Sequence, residues 1–164
     1  RGCLMGFRVG HGFDAHRLEA GRPLMLGGIP IPYERGLLGH SDGDCIIHAL
    51  CDALLGAAAL GDMGRYFPSR DPRWKGAPSR VFLDEVCRLI AEARYAVENV
   101  DVTVVAEAPR LGSHCEAMRK ALAEGLGLGL DRVSVKAKSS DGLGAVGRGE
   151  GIAAFAVALL RSDE

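Results

Sequence analysis

Asp14 and His16 stand two residues apart in an extended stretch, so their side chains project to one side and can meet one ion. His48 lies in a helical stretch with Asp44 and Asp52 four residues to either side, which sets all three on one polar stripe. One carboxylate and two imidazoles with a coordination position left open suit a catalytic zinc, although manganese and iron accept the same ligands. An Asp-x-His pair is by itself a weak signal, and two ordinary surface or hydrogen-bonded histidines are the plain alternative.

Three further segments carry chemistry. His40-Ser-Asp-Gly-Asp44 sets a histidine, a hydroxyl and backbone amides before a helix, where anions bind. A capped helix start explains Ser41 equally well, but His40 has no capping duty and can donate to a phosphate. Lys136-Ala-Lys-Ser-Ser-Asp141 follows a strand, and its hydroxyls and carboxylate can hold a phosphate with its magnesium; a hydrophilic turn is the plainer reading. Gly147-Arg-Gly-Glu-Gly151 offers Arg148 as an anion grip in a tight turn. Neither a Walker A nor a GxGxxG pattern is present.

These residues need positioning elements. The stretch 7–17 is expected to be a strand that runs into a functional loop, and 24–31 a second short strand at an edge or bulge. A helix follows from Cys45, with Ser41 or Asp42 as its N-cap and an apolar face of Ile47, Leu50, Leu54 and Leu55. Residues 62–76 read as a surface loop. Ser79 is expected to cap a helix carrying Phe82, Val86, Leu89 and Ala93, and Ser113 to Glu116 to form a capping box that opens a third helix. Strands are expected at 100–106, 133–138 and 152–160. The fold class is α+β: a single domain over 6–164 with a mixed sheet of four to five strands and helices on one face. Residues 1–5 read as a leader or processing scar, with Met5 a natural start.

Composition narrows the function classes. The 164 residues are 48% apolar and 25% charged, which suits one globular domain. A net charge of −1 and an aromatic content of 5% argue against nucleic acid as a partner. No apolar run reaches membrane-spanning length. Five cysteines with no CxxC pair fit a reducing compartment better than a disulfide framework.

Taken in order, Gly10-His-Gly-Phe-Asp-Ala-His16, His40-Ser-Asp-Gly-Asp44, His48-Ala-Leu-Cys-Asp-Ala-Leu-Leu55, Leu60-Gly-Asp-Met-Gly64 and Gly147-Arg-Gly-Glu-Gly151 resemble the 2-C-methyl-D-erythritol 2,4-cyclodiphosphate synthase family. The resemblance extends from Phe7 to Leu160. It implies zinc on Asp14, His16 and His48, transition-state stabilisation by His40 and Ser139, and a second divalent ion, magnesium or manganese, on Asp141. Asp14, Ala15, His16, His40 and Ser41 become substrate contacts, as do Phe67, Pro68, Ser69, Arg70 and Asp71. Asp62, Met63 and Gly64 match the contacts to the methylerythritol part. Ala106, Glu107, Ala108, Pro109, Arg110, Leu111 and Gly112 match a segment that reads cytosine largely through its backbone. Lys138, Ser139, Ser140, Asp141, Ala145 and Arg148 complete the substrate contacts.

The resemblance further implies a homotrimer with sites between subunits. Arg148 and Glu150 would line a central channel able to take an isoprenoid diphosphate. The reaction implied is attack of a 2-phosphate on the β-phosphate of the same cytidine diphosphate substrate, with release of CMP. A bacterial cytoplasm is expected, or a plastid-type organelle, and the chain can be one part of a bifunctional protein. Asp141 stands where the family usually has Glu, Gly142 where Lys is frequent, Lys138 where Thr is frequent, and Ala145 where an aromatic is common; Ser69-Arg70 interrupts a Phe-Pro-Asp-x-Asp loop. A zinc-dependent phosphoester hydrolase and a non-catalytic binding module for an isoprenoid diphosphate are the competing readings.

Overall fold

The computed structural model describes residues 6–162, so the reading of 1–5 as a leader lies outside the described residues. Strands β1 (Phe7–Ala20), β4 (Arg35–Leu37), β5 (Tyr95–Val105), β6 (Val133–Lys138) and β7 (Gly151–Ser162) form one mixed sheet in the order β4-β1-β7-β5-β6. Only β5 and β6 run parallel; the other neighbours are antiparallel. β2 (Leu24–Leu26) and β3 (Ile29–Ile31) form a separate hairpin, which replaces the single strand expected there. Gly27 and Gly28 both have positive φ, 59° and 80°, as a two-residue hairpin turn requires.

The helices α1 (Cys45–Ala57), α3 (Ser79–Glu92) and α4 (Cys115–Leu126) pack on one face of the sheet; α2 (Met63–Tyr66) and α5 (Gly144–Gly147) are single turns. The expected loop at 62–76 thus contains α2 and a 3-10 turn at Pro72–Trp74. α1 buries Ile46, Ile47, Leu50, Leu54 and Leu55 against Val100, Val102 and Val104 of β5 and the alanines of β7. On α3 the buried set is Ser79, Phe82, Leu83, Val86 and Ile90.

β1 departs from the expected strand-then-loop. It stays in register with β7 from Phe7↔Arg161 through Arg17↔Gly151, so Asp14 and His16 sit inside a paired strand. Its core-facing positions are the glycines. A Cβ on Gly10 would lie 1.9 Å from the Ala53 carbonyl oxygen, and one on Gly12 1.8 Å from that of Ala49. Backbone therefore touches backbone where α1 crosses β1. The apolar side chains of β1 point the other way: Phe7, Val9 and Phe13, with Phe155 and Val157 of β7, are 41–70% exposed on the helix-free face.

The caps also differ from expectation. Asp44, not Ser41 or Asp42, caps α1; it accepts from the Ile47 amide and from the Gly27 and Gly28 amides at 2.9 and 2.7 Å. One fully buried carboxylate thereby ties the hairpin turn to the helix start. Pro78 rather than Ser79 is the N-cap of α3, and no side chain caps α4, so the expected capping box does not form.

Candidate active site

β1 continues from Gly12 to Asp14 and His16 on the same face, and α1 places His48 beside Ala49, the residue pressed onto Gly12. The close helix-strand contact thus brings a helix histidine to two strand ligands. His16 Nε2 lies 2.8 Å from Asp14 Oδ2, His48 Nδ1 lies 3.1 Å from the same oxygen, and the two ring nitrogens are 3.3 Å apart. Zinc bonds of about 2.0 Å in a tetrahedron separate ligand atoms by roughly 3.3 Å, so this triangle has the size of one tetrahedral face. Asp14, His16 and His48 are the one His/Cys/Asp/Glu cluster able to hold a metal among the described residues.

The far side of each ring is also engaged. His16 Nδ1 donates to the Leu38 carbonyl at 2.6 Å, which leaves Nε2 to face the centre. His48 Nε2 meets Ser79 Oγ at 2.9 Å and Ser41 Oγ at 3.3 Å. Burial works against an ionised Asp14, but hydrogen bonds from His16 and His48 and their charge outweigh it and hold its carboxyl at about 2. Burial likewise disfavours the His16 imidazolium, yet Asp14 prevails and raises His16 above its ordinary 6.5.

The triad opens into a cavity of about 230 Å³ lined by His40, Ser41, Asp52, Met63, Phe67, Ser69, Trp74 and Phe82 besides the three ligands. Phe67, Trp74 and Phe82 form its apolar wall, with ring centroids 4.8–5.6 Å apart. His40 Nε2 donates to the Asp71 carbonyl at 3.0 Å. Asp52, which shares the polar stripe of α1 with His48, accepts from the Met63 amide at 2.8 Å and lines the cavity, while His48 is bonded to Asp14 and Ser79 instead. Burial raises the pKa of Asp52, opposed by that amide and aided by Asp62 and Asp14.

The other expected contacts distribute as follows. Asp62 caps α2 through the Arg65 amide, and Asp71 is engaged by Arg73 on the surface. Ala106, Glu107, Arg110, Leu111 and Gly112 line a second cavity of about 620 Å³ together with Lys138 and Ser139. This cavity shares no lining residue with the triad cavity. Asp141 is exposed at φ +55° in the turn after β6, its amide 3.3 Å from Ser139 Oγ. Ala15 and Ala145 meet in a smaller recess beside Glu150, and Arg148 pairs with Glu150 at 2.8 Å. Trp74, Phe82 and Ser79 were not legible as site residues. Each has an ordinary reading in sequence, as loop aromatic, core aromatic and helix cap, and only the fold brings them to the triad.

Three relatives place this geometry. The chain is 58% identical over 156 residues, 95% of its own length and 96% of the other's, to the 2-C-methyl-D-erythritol 2,4-cyclodiphosphate synthase of Burkholderia thailandensis. A solved 2C-methyl-D-erythritol-2,4-cyclodiphosphate synthase in a CDP-bound form superposes with a TM-score of 0.86 at 44% identity, over 93% of this chain and 99% of that one. The bifunctional IspDF of Campylobacter jejuni superposes at 0.94 with 37% identity over 98% of this chain, which spans only 44% of that longer protein. Residues 7–161 match the sequence model of the YgbB family, and the chain belongs to that family.

Proposed function

We propose that this chain forms 2-C-methyl-D-erythritol 2,4-cyclodiphosphate from 4-diphosphocytidyl-2-C-methyl-D-erythritol 2-phosphate, releasing CMP as a metal-dependent phosphorus-oxygen lyase of non-mevalonate isoprenoid biosynthesis. The observation that carries the reading is the convergence of Asp14 Oδ2, His16 Nε2 and His48 Nδ1 at the mouth of one cavity, in a chain so similar to named synthases.

The reaction needs no protein nucleophile. It needs a flexible polyanion folded back on itself so that one phosphate meets another, a task of positioning and charge neutralisation. Asp14, His16 and His48 would hold zinc, and Asp141 a magnesium or manganese ion; when bound, these cations supply Lewis-acid polarisation and neutralise phosphate charge. His40, oriented by the Asp71 carbonyl, and Ser139 donate hydrogen bonds to the phosphoryl group in transfer. Met63 and the aromatic wall exclude water from one side of the reacting phosphates. The Ala106–Gly112 segment, with Lys138 and Ser139, binds the cytidine end in the second cavity.

Two features support sites shared between copies, which we assign to a homotrimer. The expected metal group and the expected cytidine group lie in separate cavities of one chain, so one copy offers each neighbour half a site. The helix-free sheet face exposes Phe7, Val9, Phe13, Phe155 and Val157, an apolar strip over two paired strands that a neighbouring copy would cover. Around the axis of such an assembly, Arg148 and Glu150 line a channel that accepts an isoprenoid diphosphate. No helix among the described residues is long and apolar enough to cross a membrane. A CMP-release assay with and without a chelator tests the reading. Metal-dependent CMP with a cyclic product is expected; CMP with a linear phosphate product sinks it.

A further inference from the structure

The imidazole of His48 is held from behind by a chain of hydrogen bonds that crosses three elements. Asp42, in the loop before α1, accepts from the Ser79 amide at 2.9 Å with Oδ2 and from the Ser79 hydroxyl with Oδ1, which also accepts the Asp44 amide at 3.0 Å. Ser79 Oγ in turn lies 2.9 Å from His48 Nε2. Ser79 is fully buried and opens α3, whose first turn points its side chain between the loop and α1.

The polarity of this chain follows from elementary donor counting. A carboxylate only accepts, and a hydroxyl owns one proton. Because Asp42 Oδ1 faces the Ser79 oxygen, that proton points at Asp42. Ser79 Oγ then has only lone pairs to offer His48, so Nε2 must carry the ring proton. In the neutral ring the lone pair is then on Nδ1, the atom that faces Asp14 and His16; a second proton there, which makes the imidazolium, is what donates to Asp14 in the metal-free protein. The Leu38 carbonyl settles the same question for His16. His48 has no carbonyl within reach, and Ser41 Oγ, at 3.3 Å, is the more distant partner.

We propose that Asp42 and Ser79 are positioning residues that fix the tautomer and ring orientation of His48 and so set the affinity of the centre for a divalent metal. The inference rests on the metal reading above. Neither residue touches the metal position; each acts through His48. Ser79→Ala removes the acceptor and lets the ring rotate or protonate on Nδ1. Asp42→Asn keeps the shape but sets an amide donor against either the Ser79 amide or the Asp44 amide, whichever way it is turned.

The test measures zinc affinity by chelator competition in the wild type, Ser79→Ala, Asp42→Asn and the double variant. It adds histidine 15N spectra of the metal-free proteins at alkaline pH, where the neutral ring's tautomer is read directly. Loss of an acceptor behind a ligating histidine typically weakens binding by about 10–100-fold, and that range is expected for each single variant. The double variant is expected to be no worse than the weaker single one, because both act along one chain of bonds. The wild-type spectrum should give one Nε2-protonated tautomer of His48, and the variants a mixture. An affinity loss below roughly fivefold in both variants, fully additive losses, or an unchanged His48 tautomer in both variants overturns the proposal. If Ser79→Ala does not fold, Asp42→Asn carries the test alone. Failure of the wild type to bind zinc would instead refute the metal reading, and the metal-free spectra still judge the tautomer.

Discussion

Gly12 of β1 lies directly beneath Ala49 of α1, so close that a methyl group on Gly12 would sit 1.8 Å from the Ala49 carbonyl oxygen. Asp14 is two residues further along the strand and His48 is the residue before Ala49, so this contact sets the gap across which the metal ligands meet. Gly12→Ala must lift α1 from β1. Overpacking of this kind costs about 1–3 kcal/mol, and moving His48 by even ~1 Å should weaken zinc binding tenfold or more. Gly56→Ala is the control, because a Cβ there meets nothing within 4 Å and replaces a helical glycine. Urea unfolding and zinc titration of both variants check the contrast; equal zinc affinity in Gly12→Ala and wild type would contradict it.

The metal-free triad should stabilise the fold in a bounded pH window. Asp14 is held at about 2 against an ordinary 3.8, so its contribution is present above 3.8 and is lost as pH falls toward 2. His16 is raised above 6.5, so its contribution is complete below 6.5 and is lost as pH rises through the higher folded value. The two shifts share the Asp14–His16 ion pair, with His48 adding to the hold on Asp14; the pair is strongest between about pH 4 and 6.5 and contributes roughly 1–2 kcal/mol there. Zinc reverses the upper limb, because it displaces the proton and gains affinity as pH rises. Unfolding midpoints of wild type and His16→Gln across pH, with and without zinc, check this. A difference that stays constant with pH in the metal-free protein would refute it.

The Asp14 and His16 pair was legible in sequence because its spacing is local, two along a strand, and His48 stood out on the polar stripe it shares with Asp44 and Asp52; that His48 meets Asp14, 34 residues away, only the fold displays. The full length of β1 was not legible. Its inward positions at Gly10 and Gly12 read as loop formers, while Phe7, Val9 and Phe13 face away from the helices, against the usual rule that alternation marks the core. Residue type points to Ser41 or Asp42 as the cap of α1 and to Ser79 as that of α3, yet Ser79 spends its hydroxyl on Asp42, 37 residues away in sequence. Asp44 took the cap of α1 because the hairpin turn supplies two amides only the folded chain can bring. What escaped the sequence was in each case a partner distant along the chain.

Asp141 is expected to serve the second divalent ion alone. It lies in the exposed turn after β6 with Ser139, and neither it nor Ser139 lines the triad cavity. Asp141→Asn should raise the magnesium concentration needed for half-maximal activity about tenfold, in keeping with loss of one carboxylate ligand, and leave zinc content unchanged. Metal analysis of the purified variant alongside a magnesium titration separates the two. Zinc lost in parallel with activity would overturn this division of labour.

The separation of the two cavities gives the sharpest test of a site shared between copies. His48→Ala should abolish the metal half of a site, and Ser139→Ala should cripple the half that holds the diphosphocytidyl end. Each variant alone should be nearly inactive in CMP release while keeping its fold, since both side chains lie at the edges of cavities rather than in the core. If each site takes one half from each of two neighbouring copies, random mixing of the variants within a ring restores about a quarter of the sites. Co-refolded mixtures should therefore regain roughly that share of wild-type activity, whereas mixtures of intact, non-exchanging oligomers should regain none. If every chain builds its own complete site, the co-refolded mixture stays as inactive as its components. Phe13→Asp supplies the structural counterpart. It puts a charge on the helix-free face next to Phe155, 5.1 Å away between ring centroids, and should yield a monomer by light scattering that still binds zinc but releases no CMP. An active monomer would show that the exposed face and the divided cavities have another explanation.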